Sequence, residues 1–340
     1  MNFRRVISLE EDKKFDEALI QLNSIINQEK TIEKKEYYKT YLQRLIERIE
    51  AYSPYEGLFI KQIFKEYKTL DRNSEAPVIT LTAISGRLEG LFKTIDSILK
   101  QSLTPASINL FISEEPYLVD EGFNENDVLL KDLYEKGVNI YFTENIGPYR
   151  KQVPIIKLLR EKGYPEETIF ITIDDDVIYP KDTISALVSN ISKTDTVTSY
   201  RGREIQLENS AIATYKKFTK PIENISAFNL GTGKNGIAYK LKYFPKNGEN
   251  YVGSLIAPTA DDIWCKWVTG VYCIETTILE PASAFDKTKD FEETAPENKV
   301  GLFHVFNAKG RNDIAIEAME IYFSAKGKSL ASILSGLDND

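Results

Sequence analysis

The chain has 340 residues, 42% of them hydrophobic, and a formal net charge of −8, which describes a globular chain able to bury a full core as one large domain or two modest ones. The acidic balance excludes broad nucleic-acid binding, which needs a clustered basic surface, and no stretch approaches 18 uncharged apolar residues. The opening "MNFRRVISLEEDKKFDEALIQLNSIINQEK" is too charged for a signal peptide's apolar core, so a soluble cytoplasmic protein is expected.

Residues 10 to about 70 are rich in Glu, Lys, Leu, Ile and Tyr. Phe15, Ala18, Leu19, Leu22, Ile25 and Ile26 fall at helical spacing, as do Tyr41, Leu42, Leu45 and Ile49, which predicts a helical hairpin or small bundle. "SPYEG" breaks it, a third helix is expected around "LFIKQIFKEY", and "DRNSEAP" reads as a linker. From Pro77 the texture changes. "PVITLTAIS", "INLFISEE", "VNIYFTE" and "TIFITID" read as strands; "LEGLFKTIDSILKQS", "DVLLKDLYEKG" and "QVPIIKLLREKG" alternate with them as helices. That alternation predicts βαβ units and a parallel sheet covered on both faces. After Pro180 the pattern loosens into shorter elements. Cys265 and Cys273, eight apart with no CxxC, support neither a disulfide framework nor a zinc knuckle and read as small core residues.

In such a sheet, ligands sit outside the carboxyl ends of the strands, so the loops after strands are where chemistry is expected. One carries "IFITIDDDVIYP": Asp174, Asp175 and Asp176 follow a buried strand, and water or a hard divalent cation must offset their repulsion. Along an extended turn Asp174 and Asp176 would face one way and Asp175 another. This makes Asp176 the direct metal ligand and Asp174 a contact to a nucleotide ribose or, through water, to the metal. The plainer alternative is a solvated acidic turn, with Asp182 as N-cap of the next helix. Asp261 and Asp262 in "PTADDIWCKWV" can cap a helix or supply a general base.

Arg87, Arg150, Lys151, Arg201 and Arg203 lie near the same loops and as a set could hold a diphosphate. His304, the only histidine, reads as a buried structural residue, with a third metal ligand as the other reading. "GTGKNG" lacks the P-loop pattern and reads as a flexible loop near an acceptor.

Taken in order, "ITLTAISGRLEGLFKTIDSILKQS", "NIGPYRKQVP", "ITIDDDVIYP", "SYRGREI", "GTGKNGIAY", "ADDIW" and "FNAKGRND" resemble the GT-A fold glycosyltransferases, close to the family-2-like bacterial enzymes of surface polysaccharide and lipopolysaccharide synthesis. The resemblance spans about Pro77 to Asp313. It implies a Rossmann-like, mostly parallel α/β sheet flanked by helices: a GT-A domain over 76–330, with a nucleotide-binding half (76–180) and an acceptor half (181–330), behind a helical extension over 1–75. It implies a nucleotide-diphosphate sugar donor and Mn2+ or Mg2+ on the D-x-D. By motif position Thr82 and Arg87 would line the nucleobase and ribose pocket, Lys151 would reach the base or diphosphate, and Asp174 and Asp176 would serve ribose and metal. Asp262 would be the usual base. Where related sequences often carry Asp and a Gly-Gly pair, this chain has Asn145 and Lys234-Asn235.

The function expected is metal-dependent transfer of a sugar to a hydroxyl of a glycan or glycolipid, with inversion. Its rivals are a metal-dependent nucleotidyltransferase and a non-catalytic sugar-nucleotide binder or scaffold. The helical extension would dock a protein partner, the inner face of the cell membrane or the sheet edge.

Overall fold

The computed structural model describes residues 3–53, 55, 57–65, 76–279, 291–294 and 302–337, without the side chains of Phe303 and His304. Three helices open the chain: α1 (Phe3–Glu11), α2 (Phe15–Gln28) and α3 (Ile32–Ala51). The spaced apolar residues of α2 are buried as expected, and Leu45, Ile46 and Ile49 bury the inner face of α3.

The stretch expected as a third helix begins instead as a strand, β1 (Ile60–Gln62). Its backbone pairs antiparallel with β4 (Val138–Thr143), and Phe64 beyond it stacks on Tyr134 at 4.6 Å. An open sheet edge satisfies backbone groups that a short isolated helix would leave at its ends. Residues 66–75, the rest of that stretch and most of the linker, lie outside the described residues.

The alternation from Pro77 matches the sequence reading: β2 (Val78–Thr82), α4 (Leu88–Leu99), β3 (Ser107–Ile112), α5 (Val128–Glu135), β4, α6 (Val153–Glu161) and β5 (Ile169–Thr172). The second half adds β6 (Val177–Ile178), α7 (Thr183–Thr194), β7 (Val197–Ser199), β8 (Gly202–Glu204), β9 (Leu207–Glu208), β10 (Ala211–Ile212), β11 (Ile225–Ser226), β12 (Asn229–Gly231) and β13 (Ile237–Lys240). Then follow α8 (Glu249–Ile256), α9 (Asp261–Gly270), β14 (Thr276–Ile278), β15 (Glu292–Glu293), α10 (Leu302–Val305), α11 (Arg311–Ala325) and α12 (Leu330–Leu337).

Among the described residues the main sheet has the order β1-β4-β3-β2-β5-β13-β7-β14-β11. β2, β3, β4 and β5 are parallel; β13 is antiparallel to both β5 and β7, so β7 runs with β5, and β14 is parallel to β7. The sheet is therefore mostly parallel, with β1, β13 and β11 reversed. From β2 the chain winds outward through β3 to β4, then returns to place β5 on the other side of β2. That reversal puts a crevice at the carboxyl ends of β2 and β5.

The N-terminal helices join the same apolar core as the sheet domain. Asp16 of α2 pairs with Arg311 of α11 at 2.8 Å, and Glu50 of α3 accepts from Tyr322 and Lys326. Cys265 is buried as expected, but Cys273 is exposed: it sits after the end of α9 with φ 60°, where the chain turns outward. No helix among the described residues is long and apolar enough to cross a membrane.

Candidate active site

α4 carries the buried polar residues Thr94 and Ser97, Gln101 follows just past its end, and together the three hold the acidic turn. Thr94 Oγ1 donates to the Asp175 carbonyl at 2.9 Å, Ser97 Oγ accepts from Tyr179 N at 3.0 Å, and Gln101 bonds the Pro180 carbonyl and Ile184 N. Gln101 thus serves the start of α7, where Asp182 occupies the N-cap position without a side-chain capping bond. Tyr179 closes the turn by accepting from Asp174 N at 2.9 Å.

Residues 175 and 176 form a turn, so the alternation expected of an extended chain does not apply. Arg87, in the turn after β2, sends one guanidinium nitrogen to both Asp175 Oδ1 and Asp176 Oδ2, each at 3.0 Å. Asp174 pairs with Lys151 Nζ at 3.0 Å. The same ammonium reaches Asp261 Oδ2 at 3.1 Å, so one buried cation joins the acidic turn to the first turn of α9. Gln152 Nε2 adds a bond to Asp261 Oδ2 at 3.0 Å. Asp262 accepts from two backbone amides, Gly233 at 3.3 Å and Ile263 at 2.8 Å.

The "GTGKNG" loop between β12 and β13 lies against both motifs. A Cβ on Gly233 would meet Lys151 Nζ at 3.2 Å and Asp174 Oδ1 at 3.7 Å, so any larger residue there would crowd the Lys151 ammonium. Lys234 pairs with Glu293 of β15, which is itself laid antiparallel on β6 beside the acidic turn.

These charges line one cleft of about 540 Å3 with Thr82, Arg150, Arg201, Arg203, Tyr215, Thr259, Asn307 and Asn312. Burial pulls the Lys151 pKa down, but Asp174 and Asp261 outweigh it and raise it well above the lysine value. Asp174 is lowered, because Lys151 and Arg87 overcome the effect of burial. Burial raises Asp175 to about 6 against the pull of Arg87, and burial with repulsion from Asp174 raises Asp176. Asp262 rises to about 6 through burial and the adjacent Asp261, with Lys151 and the two amides opposing.

The other expected residues fall as follows. Thr82 lines the cleft while its hydroxyl donates to the Phe111 carbonyl at 2.7 Å. Arg150 is buried in an ion pair with Asp120 at 2.8 Å and donates to the Ala83 carbonyl at 3.1 Å, so its charge is already matched within the cleft wall. Burial and the nearby Arg203 lower Arg201, and Arg203 lies over the Tyr215 ring at 4.8 Å. His304 falls within α10, but its side chain is outside the description.

Sequence reasoning passed over Asp120, Tyr215, Gly233, Glu293, Asn307 and Asn312. They come from loops, a short strand and a helix start far apart in the chain and share no pattern; only "FNAKGRND" and "GTGKNG" marked the neighbourhoods of three of them.

Among the described residues, no three or more carboxylate, histidine or cysteine side chains form a ready metal cage. The donors available at the acidic turn are carboxylate oxygens, with the Asp176 side chain 36% exposed toward the cleft. That set fits a hard ion held by one or two carboxylates, its shell completed by phosphate oxygens and water, as is usual for Mg2+.

No family model matches the sequence, and no curated protein matches it. Among solved structures, the crystal structure of S. aureus TarS residues 1–349 is similar to the chain with a TM-score of 0.33 and 12% identity, covering 78% of this chain and 91% of that one. That degree of likeness assigns no residue and no reaction.

Proposed function

We propose that the chain transfers a sugar from a nucleotide-diphosphate donor to a hydroxyl of a glycan or glycolipid. The observation that carries this reading is the pairing of two acidic motifs from opposite halves of the chain around Lys151, at the carboxyl ends of β2 and β5. One motif is matched by cations; the other keeps Asp262 on backbone amides alone.

Asp262 acts as general base, taking the proton of the acceptor hydroxyl as its oxygen bonds to the anomeric carbon and the nucleoside diphosphate leaves. A carboxylate with a pKa of about 6 is charged at neutral pH yet basic enough to accept that proton. Lys151, kept protonated by its partners, holds Asp174 and Asp261 in place, and Arg87 holds Asp175 and Asp176. Mn2+ or Mg2+, carried by Asp176 and Asp174, would supply positive charge for the departing diphosphate. In-line attack by the acceptor oxygen on the face of the anomeric carbon opposite the leaving diphosphate would give inversion.

A thermal-shift panel of nucleotide sugars with and without Mn2+ finds the donor, since a ligand of the native state alone raises the melting point. With that donor, Asp262→Asn cuts turnover about 100- to 10,000-fold and leaves donor affinity near wild type. The Asp176→Ala variant loses the Mn2+-dependent part of the shift. Full activity in EDTA sinks the metal's role, an unchanged rate in the Asn variant moves the base elsewhere, and release of pyrophosphate in place of nucleoside diphosphate selects nucleotidyl transfer.

A further inference from the structure

The loop between β12 and β13 carries a further cation, Lys234, into the cleft beside Asp174, Asp176 and Glu293. The backbone is fixed on both sides of that residue. Thr232 N donates to the Arg201 carbonyl at 3.1 Å, Gly233 N to Asp262, and Gly236 N to the Gly233 carbonyl at 3.1 Å. Asn235, at φ 80°, is buried. The Lys234 side chain is the part of the loop left to move, part-exposed and paired with Glu293.

Lys151, Arg87 and Lys234 thus face the acidic turn, and they are held unequally. Lys151 and Arg87 each bond two aspartates, one of each pair deeply buried: Asp261 and Asp175, 10% and 9% exposed. Leaving them would strand a buried charge, which is costly. Among the described residues Lys234 has a single ion-pair partner, whose side chain is 33% exposed, and an ion pair open to water holds weakly. Yet its ammonium stands close enough to the turn to favour the charged forms of both Asp174 and Asp176. Of the three it is therefore the one that can trade its carboxylate for an incoming anion without unbalancing the turn. β15 stays in place in that exchange, since Thr294 N donates to the Asp176 carbonyl at 2.9 Å and Phe291 packs edge-on against Tyr179 and Tyr200.

We propose that Lys234 exchanges Glu293 for the diphosphate of the donor and meets the negative charge that the departing group develops. This rests on the glycosyl-transfer reading and adds to it a phosphate-contacting residue. The ammonium donates to a phosphate oxygen in a charge-assisted bond, and Glu293 turns to water.

The test is isothermal titration calorimetry on the full chain in Mg2+, with inorganic pyrophosphate and the diphosphates of uridine, guanosine, cytidine and thymidine as probes. Lys234→Met is expected to weaken binding of pyrophosphate and of the preferred nucleotide about tenfold or more. Glu293→Gln, which frees the ammonium, should tighten both about two- to fivefold, and should add nothing beside Lys234→Met. The variants should melt near wild type, because the pair is part-exposed. Unchanged affinity in Lys234→Met overturns the proposal, as does weaker binding in Glu293→Gln. A gain that survives beside Lys234→Met also overturns it, since Glu293 then only repels the anion. The donor reading is judged separately. Nucleotides bound alike by wild type and Lys234→Met keep that reading and remove Lys234. Pyrophosphate held through Lys234, with no nucleotide bound more tightly than it, keeps Lys234 and removes the donor. If wild type binds neither, both fall.

Discussion

Among the described residues three lysines are buried; Lys240 pairs with Glu167 and Asp195, and the other two, Lys151 at the cleft and Lys266 on the inner part of α9, are 8% and 4% exposed. Their surroundings differ in one respect. Lys151 meets two carboxylates at about hydrogen-bond distance, whereas among the described residues Lys266 Nζ has no hydrogen-bond partner and Glu275 is the one charge that acts on it. Burial pulls Lys266 down to about 7, while the carboxylates carry Lys151 well above the ordinary lysine value. Burial thus lowers a lysine pKa in this fold, and the cleft keeps its cation because two acidic motifs converge on it.

The largest effect that tests this contrast is Lys151→Met. Removing one partner of a buried ion network leaves like charges facing each other, at a cost of about 3–5 kcal/mol. Denaturant melts at neutral pH should show a loss of that size, and adding Asp261→Asn should recover much of it. Additive losses in the double variant would mean that Lys151 and Asp261 are not coupled.

The opposite sign is expected for Lys266→Met. Here a buried group without a partner is replaced by an apolar chain of similar length, a change that ranges from neutral to about 1–4 kcal/mol stabilising. The same melts read it, and a gain in one variant beside a loss in the other sharpens the comparison. A clear destabilisation would show that Lys266 holds a partner through water.

How far the sequence shows these features depends on the range of the interaction. β2 to β5 were legible because each is a compact apolar run whose local preference and sheet position agree. Ile60–Gln62 was not, since its pairing partner lies in β4, far along the chain, and its own pattern suits a helix equally well. The two acidic motifs stood out as adjacent aspartates. Their division of labour did not: the turn at 175–176 gives two carboxylates to Arg87 and one to Lys151, and only the folded loop brings Gly233 to Asp262. Arg150 looked like a phosphate ligand by position, yet its partner, Asp120, sits in a loop with no recognisable pattern. Lys266 gave no signal at all beyond its place on a helix face.

The smallest effect is in the pH dependence of stability, measured without divalent ions. Between about pH 7 and the ordinary lysine pKa near 10.4, the unfolded chain protonates Lys266 and the native protein does not, so this group makes stability rise with pH, by at most about 1.4 kcal/mol per unit. Asp175 and Asp262, both raised to about 6, act in a lower window. The native protein there holds protons that the unfolded chain has released, so their contribution is complete below the ordinary carboxylate range and is lost as pH rises toward 6. Lys151 adds stability at neutral pH that fades only in strong alkali, because its native pKa lies above the unfolded one. Lys266→Met should therefore flatten the rise above pH 7 and leave the fall below pH 6 unchanged, while Asp262→Asn reduces that fall alone. If Lys266→Met altered the lower window instead, Lys266 and Lys151 would be electrostatically linked through α9, and their contrast would reflect one shared network rather than two separate environments.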